Sequence, residues 1–300
     1  MKILAASILS IILLVGCANS AEQAATATAA PYTKAVTESA SASSIQTVTL
    51  KSHALKREMN AEIYLPPGYN AAVHYPVLYM LYGYGGNESS WFSWLGLNKA
   101  ADRLIGEGTI KPVIIVCPAY GNSFGVNTKA GQGVNPGGVD EGMYEDYLTK
   151  DLITYVDRHY STIASKEGRY IGGASMGGYA ALYLAFNHSN LYSKVGGHSA
   201  ALWDYSQADQ FTDQRDWLYP NDKLRQQRDP LLLARSKKLA GLKIYLDAGD
   251  SDQLSIEDQG LYNILKSQKK SAEWHSGPGG HDTNYWGSQL DNYLKFYAGR

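Results

Sequence analysis

Gly173-Ala174-Ser175-Met176-Gly177 has the spacing G-x-S-x-G. A serine between two glycines serves as a nucleophile when it sits on a tight strand-to-helix turn. The glycines let the backbone pass close to its neighbours, and the hydroxyl stands exposed at the strand's end. The N–H groups that open the following helix then face any negative charge that develops. A serine hydroxyl is a weak nucleophile near neutral pH. Such a site therefore needs a base to take its proton and an acid to orient the base.

Where this turn carries a triad, the chain order is Ser, then Asp or Glu, then His. Of the seven histidines, His275 and His281 follow a suitable acid loop. His281 lies in Gly277-Pro278-Gly279-Gly280-His281-Asp282, a glycine-rich loop able to project an imidazole, and is the candidate base. His275 falls within a strand pattern and is read as packing or facing solvent. Three carboxylates compete for the acid in Asp247-Ala248-Gly249-Asp250-Ser251-Asp252. Asp247 belongs to the strand, Asp250 to the turn, and Asp252, where the loop turns back, is preferred. Two backbone N–H donors would hold the oxyanion. One is that of Met176. The other comes from Gly83-Tyr84-Gly85-Gly86, with Tyr84 the candidate and Gly83 or Gly85 one register away.

The elements that must position these residues alternate strand and helix, which predicts an α/β sheet, mostly parallel with helices on both faces. Gln46–Ser52 and Arg57–Leu65 alternate as an antiparallel opening pair. Pro76–Tyr82 and Pro112–Cys117 are continuous apolar runs, as strands buried on both faces are. Arg169–Gly173, Tyr192–His198, Lys243–Ala248 and Ala272–Ser276 complete the expected strands. Helices are expected at Asn98–Gly106, Tyr144–Tyr160, Met176–Asn187, Ile256–Gln268 and Thr283–Phe296. In Tyr144–Tyr160 the stripe Tyr144, Tyr147, Leu148, Leu152, Tyr155, Val156, His159 marks one face. The long Gly- and Asn-rich stretch Tyr120–Val139 reads as a functional loop. Trp203–Arg235 reads as a polar, irregular cap or wall.

The first residues, MKILAASILSIILLVGCANS, pair one lysine with an apolar run too short to cross a bilayer as a helix. They fit an export signal. Leu14-Val15-Gly16-Cys17 resembles the bacterial lipobox, in which the cysteine after small residues is cut free and acylated. The expected organisation is a leader over 1–16, a lipidated Cys17 with an Ala/Ser/Thr tether over 17–44, and one folded domain over 45–300. The expected location is the cell envelope, with the membrane reached through the lipid. Cys117 sits in an apolar strand and is read as an inert core thiol.

Composition narrows the classes. The 27 Lys+Arg and 28 Asp+Glu give a net charge of -1, which argues against nucleic acid as partner. Two cysteines make neither a disulfide scaffold nor a Cys-rich zinc site. No histidine pair has H-E-x-x-H spacing, and the glycine runs lack a phosphate-loop lysine, so no metal or other cofactor is expected. Tyr82, Tyr84, Trp91, Phe92, Trp94, Tyr120, Phe124, Trp203 and Trp286 lie near the chemical loops and either stack on a sugar or phenolic ring or pack the core.

Tyr75–Gly86, Ile171–Gly178, Gly249–Leu254 and Pro278–His281 together resemble the esterase D family of α/β-hydrolases, and the resemblance runs over 45–300. That family includes feruloyl and acetyl-xylan esterases, S-formylglutathione hydrolases and mycolyltransferases. The resemblance implies Ser175 as nucleophile, Asp252 as acid, His281 as base, and backbone oxyanion donors at Met176 and Tyr84. It implies ester hydrolysis through an acyl-enzyme, on a small-molecule or polysaccharide ester. An acyltransferase on the same fold is the nearest rival, and a non-catalytic surface binding protein the rival from another class. One departure stands out. The family has His-Gly where this chain has Tyr82-Gly83, so whatever holds the oxyanion loop here must differ.

Overall fold

The computed structural model describes residues 41–129, 138–203 and 212–300. The leader, Cys17 and most of the tether expected over 1–44 lie outside the described residues, as do 130–137 of the long loop and 204–211 of the polar segment. Ala40–Arg300 is a compact unit of its own and contains every described strand and the described core. It therefore carries what it needs to fold without residues 1–39.

Eight strands form one sheet: β1 (Ser44–Ser52), β2 (Arg57–Leu65), β3 (Val77–Leu81), β4 (Ile114–Pro118), β5 (Arg169–Ala174), β6 (Lys194–His198), β7 (Lys243–Gly249) and β8 (Ala272–Gly277). Their spatial order is β1-β2-β4-β3-β5-β6-β7-β8. β1 pairs antiparallel with β2, and β2 antiparallel with β4; all later pairings are parallel. β3 and β4 are buried along their whole length, which is why they read as unbroken apolar runs. Cys117 is fully buried in β4, and burial first, then the Glu62 charge, pushes its thiol well up. After β3 the chain moves to one side of the sheet, and after β5 to the other. The loops leaving β3 and β5 diverge there, and that crevice is where α/β sheets bind ligands.

The helices are α1 (Ser90–Ser93), α2 (Leu97–Gly106), α3 (Tyr144–Asp146), α4 (Leu152–His159), α5 (Met176–Asn187), α6 (Thr212–Leu218), α7 (Asp222–Arg228), α8 (Pro230–Ser236), α9 (Ser255–Ser267), α10 (Thr283–Ser288) and α11 (Leu290–Ala298). Paired glycines in β5 and β6 show that both faces are covered. A Cβ on Gly172 or Gly196 would collide with the Tyr297 hydroxyl of α11. One residue on, a Cβ on Gly173 or Gly197 would collide with α5, at Gly177 and Leu182. Successive strand residues point to opposite faces, so α11 and α5 lie on opposite sides of the sheet.

Three expectations need correction. The stretch read as one helix over Tyr144–Tyr160 carries a π-helical turn, Tyr147–Asp151, between α3 and α4. The wider turn rotates α4 about its axis, so Ile153 becomes buried while His159 is exposed and stacks on Tyr155 at 4.1 Å. Thr283–Phe296 breaks at Gln289 into α10 and α11. The described part of Trp203–Arg235 is not irregular: it forms α6, α7 and most of α8. Asn221 caps α7 through its side chain, and Asp229 caps α8, which opens with Pro230.

Candidate active site

Ser175 joins β5 to α5 at φ 56 and ψ -120, a conformation that costs a non-glycine residue energy and persists only where the surroundings impose it. They do so here. The Ser175 N–H donates to the His198 carbonyl at 2.9 Å, and its own carbonyl accepts from the N–H groups of Tyr179 and Ala201, each at 3.0 Å. Gly173 and Gly177 are needed because the elbow is pressed against β3: a Cβ on either would fall within 2.6 Å of the Leu81 carbonyl oxygen.

The structure brings Ser175, His281 and Asp252 together. His281 Nε2 lies 2.8 Å from Ser175 Oγ, and His281 Nδ1 lies 3.0 Å from Asp252 Oδ2. The tautomer that donates from Nδ1 to Asp252 leaves Nε2 to accept the serine proton. Asp252 is buried, and burial alone would raise its pKa. Hydrogen bonds from His281, from the Leu254 N–H at 2.8 Å and from the Ser199 hydroxyl outweigh burial and hold the carboxyl below its ordinary range.

The other two aspartates have different work. Asp250 ties the two loops together: its Oδ1 accepts the Gly279 N–H at 3.3 Å while the Ser251 N–H donates to the Gly279 carbonyl. Asp247 is wholly buried under the site. It accepts from Tyr285 at 3.0 Å and Tyr293 at 2.8 Å, and its other oxygen meets His198 Nδ1 at 2.7 Å. A further carboxyl, Asp258 in α9, is buried near Asp252. Burial first, then the charges of Asp252 and Asp247, push its pKa well up. His275 is half exposed and stacks on Tyr245 at 4.4 Å, away from the serine's contacts.

The loop after β3 passes beside the serine, with the Cβ position of Gly83 3.4 Å from Ser175 Cβ. Met176 opens α5, so its N–H has no partner within the helix. Tyr84 follows Gly83 on the same loop and lines the space over the serine. Before Gly83 the structure has a reciprocal tyrosine pair. The Tyr82 hydroxyl accepts the Tyr120 N–H at 2.9 Å, and the Tyr120 hydroxyl donates to the Tyr82 carbonyl at 2.5 Å. Burial pushes the Tyr82 hydroxyl up to about 12, so it stays protonated. Asn122 adds a second clamp. Its Oδ1 accepts the Gly85 N–H at 2.8 Å, its amide donates to Gly138, and its own N–H is held by Asp140. The described parts of the 120–140 loop thus hold the loop after β3. The sequence reading took Tyr120 only as an aromatic near the chemical loops and passed over Asn122, whose only signal was a long polar loop.

Two cavities flank the serine. The larger, about 260 Å³, is walled by Tyr82, Tyr84, Trp91, Trp94, Leu95 and Trp286. The smaller, about 70 Å³, lies towards Phe124, Met176, Trp203, Gln214 and Leu254. Trp94 stands 59% exposed at the rim of the larger one. Trp286 packs edge-to-face with the His281 ring at 5.3 Å and donates from Nε1 to Ser199 Oγ, so it braces both His281 and the residue behind Asp252. No group of three or more His, Cys, Asp and Glu among the described residues is arranged to hold a metal ion.

Known proteins resemble this chain in sequence or in fold. The xylanase/feruloyl esterase of Xylanibacter ruminicola is 35% identical over 159 residues, 51% of this chain and 21% of that protein. An acetyl esterase of Caldicellulosiruptor saccharolyticus is 23% identical over 235 residues, 74% of this chain and 82% of its own. The chain thus spans about a fifth of the first relative and about four-fifths of the second. A solved ferulic acid esterase superposes with a TM-score of 0.72 at 25% identity, over 86% of this chain and 97% of that one. An S-formylglutathione hydrolase from Staphylococcus aureus shares the fold, with a TM-score of 0.68 at 18% identity over 86% of this chain and 99% of its own. A family model described as "Putative esterase" matches residues 52–297, from the end of β1 into the last turn of α11, and the chain belongs to that esterase family of the α/β-hydrolase fold.

Proposed function

We propose that this protein is a serine carboxylic-ester hydrolase working through an acyl-enzyme. The observation that carries the reading is the unbroken line Ser175 Oγ, His281, Asp252, at 2.8 and 3.0 Å, at the mouth of an aromatic cavity. Ser175 Oγ attacks the ester carbonyl carbon and its proton passes to His281 Nε2. The carbonyl oxygen becomes an oxyanion facing the N–H groups of Met176 and Tyr84. Collapse breaks the bond to the alcohol oxygen, which takes the proton from His281. Water, deprotonated by the same nitrogen, then releases the acid and restores the serine. Asp252 holds the imidazole tautomer and stabilises its charge throughout.

The substrate class this reading favours is an ester on a polysaccharide, feruloyl or acetyl. Two relatives bear those activities in their names. The larger cavity offers tryptophan and tyrosine faces to a phenolic acyl group or a sugar. The Tyr82–Tyr120 pair restrains the loop despite the missing histidine, which removes the ground for a non-catalytic binding protein. The proposed location is the cell envelope, with Cys17 carrying the lipid, supported by the leader pattern.

The test is hydrolysis of p-nitrophenyl acetate and methyl ferulate by residues 41–300, wild type beside Ser175→Ala. The expected result is turnover that falls by several orders of magnitude in the variant. Equal rates in both proteins would show that Ser175 is not the nucleophile. Folded wild type inert on both esters would overturn the substrate class.

A further inference from the structure

The net charge of -1 hides a marked asymmetry along the strands. Each of β4–β8 is approached or opened by lysine. Lys111 precedes β4, Lys166 precedes β5, and Lys194 and Lys243 are the first residues of β6 and β7. Lys237 and Lys238 also lead into β7, and Lys269 and Lys270 into β8. Because these five strands run parallel, all eight lysines gather at one end of the sheet, opposite the end that carries Ser175, Asp252 and His281.

Opposite charge nearby comes from Glu273, beside Lys194, and Glu167, beside Lys166, and does not match the eight lysines. Among the described residues, no ion pair joins any of them to a carboxylate within 4.0 Å. Several donate instead to neutral carbonyls. Lys166 reaches Ala240, Lys194 reaches Phe296 and Tyr297, and Lys270 reaches Ala234 and Lys237. Two adjoining hollows of about 420 and about 400 Å³ share Lys243. Lys238, Lys269 and Lys270 border the first, Lys194 and Glu273 the second. Burial first, then the like charges of Lys243 and Lys111, lower the pKa of Lys194 against an opposing pull from Glu273.

The chain also enters the domain at this end. Ser44 pairs with Leu65, and the neighbouring Tyr64 pairs with Ile115 near the start of β4. We propose that this lysine-rich end of the sheet is a docking face for an anionic lipid bilayer, on which the domain rests with its cavity turned outward. The proposal rests on the reading of Cys17 as lipidated. The 24 residues from Cys17 to Ala40 span at most about 85 Å however they are arranged, so the point of entry stays within that distance of the membrane. Strands of five to seven residues place the mouth of the site about 20 Å further out. The lipid supplies attachment and the lysines supply orientation.

The test is co-sedimentation of residues 41–300, which lack Cys17, with vesicles of phosphatidylcholine alone or with about 30 mol % phosphatidylglycerol. Binding to the anionic vesicles alone is expected, and it should weaken more than tenfold as salt rises from about 0.05 to about 0.3 M. A lysine near an anionic surface is worth about fivefold in partitioning, so Lys238→Glu/Lys243→Glu/Lys269→Glu should lower it more than about a hundredfold. Turnover of p-nitrophenyl acetate by that variant should be unchanged, which shows that it is folded. Lys51→Glu, at the opposite end of the sheet, should bind as wild type does. Absence of vesicle binding, or capture by soluble polygalacturonate in place of vesicles, would overturn the proposal. Incorporation of labelled palmitate into the full chain, compared with Cys17→Ser, separates the two readings. Acylation without docking leaves the anchor and removes the docking face; docking without acylation leaves the face and removes the anchor.

Discussion

Gly177 stands so close to Leu81 that a Cβ on the glycine would lie 2.2 Å from the leucine carbonyl oxygen. The same carbonyl accepts the Trp91 indole N–H at 3.0 Å, so it is not free to move aside. Gly177→Ala must therefore shift the first turn of α5 or the end of β3. The expected cost is about 3 kcal/mol or more, with turnover falling as the elbow moves. Urea denaturation of the two proteins measures it, and an unchanged midpoint would contradict the close approach.

Asp252→Asn keeps the shape of the site but lets the side-chain amide favour the wrong imidazole tautomer. A fall in kcat of about 10⁴-fold is expected, with the protein folded. The fold favours the ionised form of Asp252, whose pKa lies below the ordinary value. That contribution is complete above about pH 4 and is lost as pH falls through the folded value. The stability difference between wild type and Asp252→Asn should therefore hold at pH 7 and shrink in acid. A difference that grows on acidification would reverse the assignment.

Asp258 has the opposite sign. Its folded pKa is raised, so wild-type stability declines as pH rises from about 4 towards that raised value. Asp258→Asn removes the slope. Denaturation at a series of pH values should show the variant gaining on wild type with rising pH, then levelling. A constant offset would mean that Asp258 is ionised in the fold.

Tyr120→Phe deletes the hydroxyl that donates to the Tyr82 carbonyl, and Tyr82→Phe leaves the buried Tyr120 N–H without its acceptor. The second change should cost about 1–3 kcal/mol of stability. Both should loosen the oxyanion loop and lower kcat by about tenfold or more with KM little changed, because the loop serves the transition state. Steady-state kinetics on p-nitrophenyl acetate decide this. A rise in KM alone would assign the pair to substrate binding.

The turn at Ser175 was legible in the sequence because its requirements are local: two glycines, a strand before and a helix after. The carboxylate that meets His281 was harder. Asp247, Asp250 and Asp252 fall within six residues, and their fates depend on what comes from elsewhere: Tyr293, Gly279 and His281 respectively. The strands were legible wherever both faces are buried. The phase of α4 was not, because the π-helical turn before it leaves no mark on the hydrophobic pattern. α7, Asp-Lys-Leu-Arg-Gln-Gln-Arg, has almost no apolar face, so periodicity passed over it, although Asn221 and Asp229-Pro230 are recognisable caps. Ser199 carried no signal at all. It matters because its N–H holds the Asp247 carbonyl while its hydroxyl supports Asp252 and accepts from Trp286.

Cys117, sealed in β4, gives the domain a practical property. Residues 41–300 contain no other cysteine, and this thiol is both out of reach and reluctant to ionise. A cysteine introduced at the rim, at Trp94 for example, would therefore be the one position that a maleimide dye modifies. The native thiol need not be removed first, and a fluorophore placed there would report whether the cavity is filled.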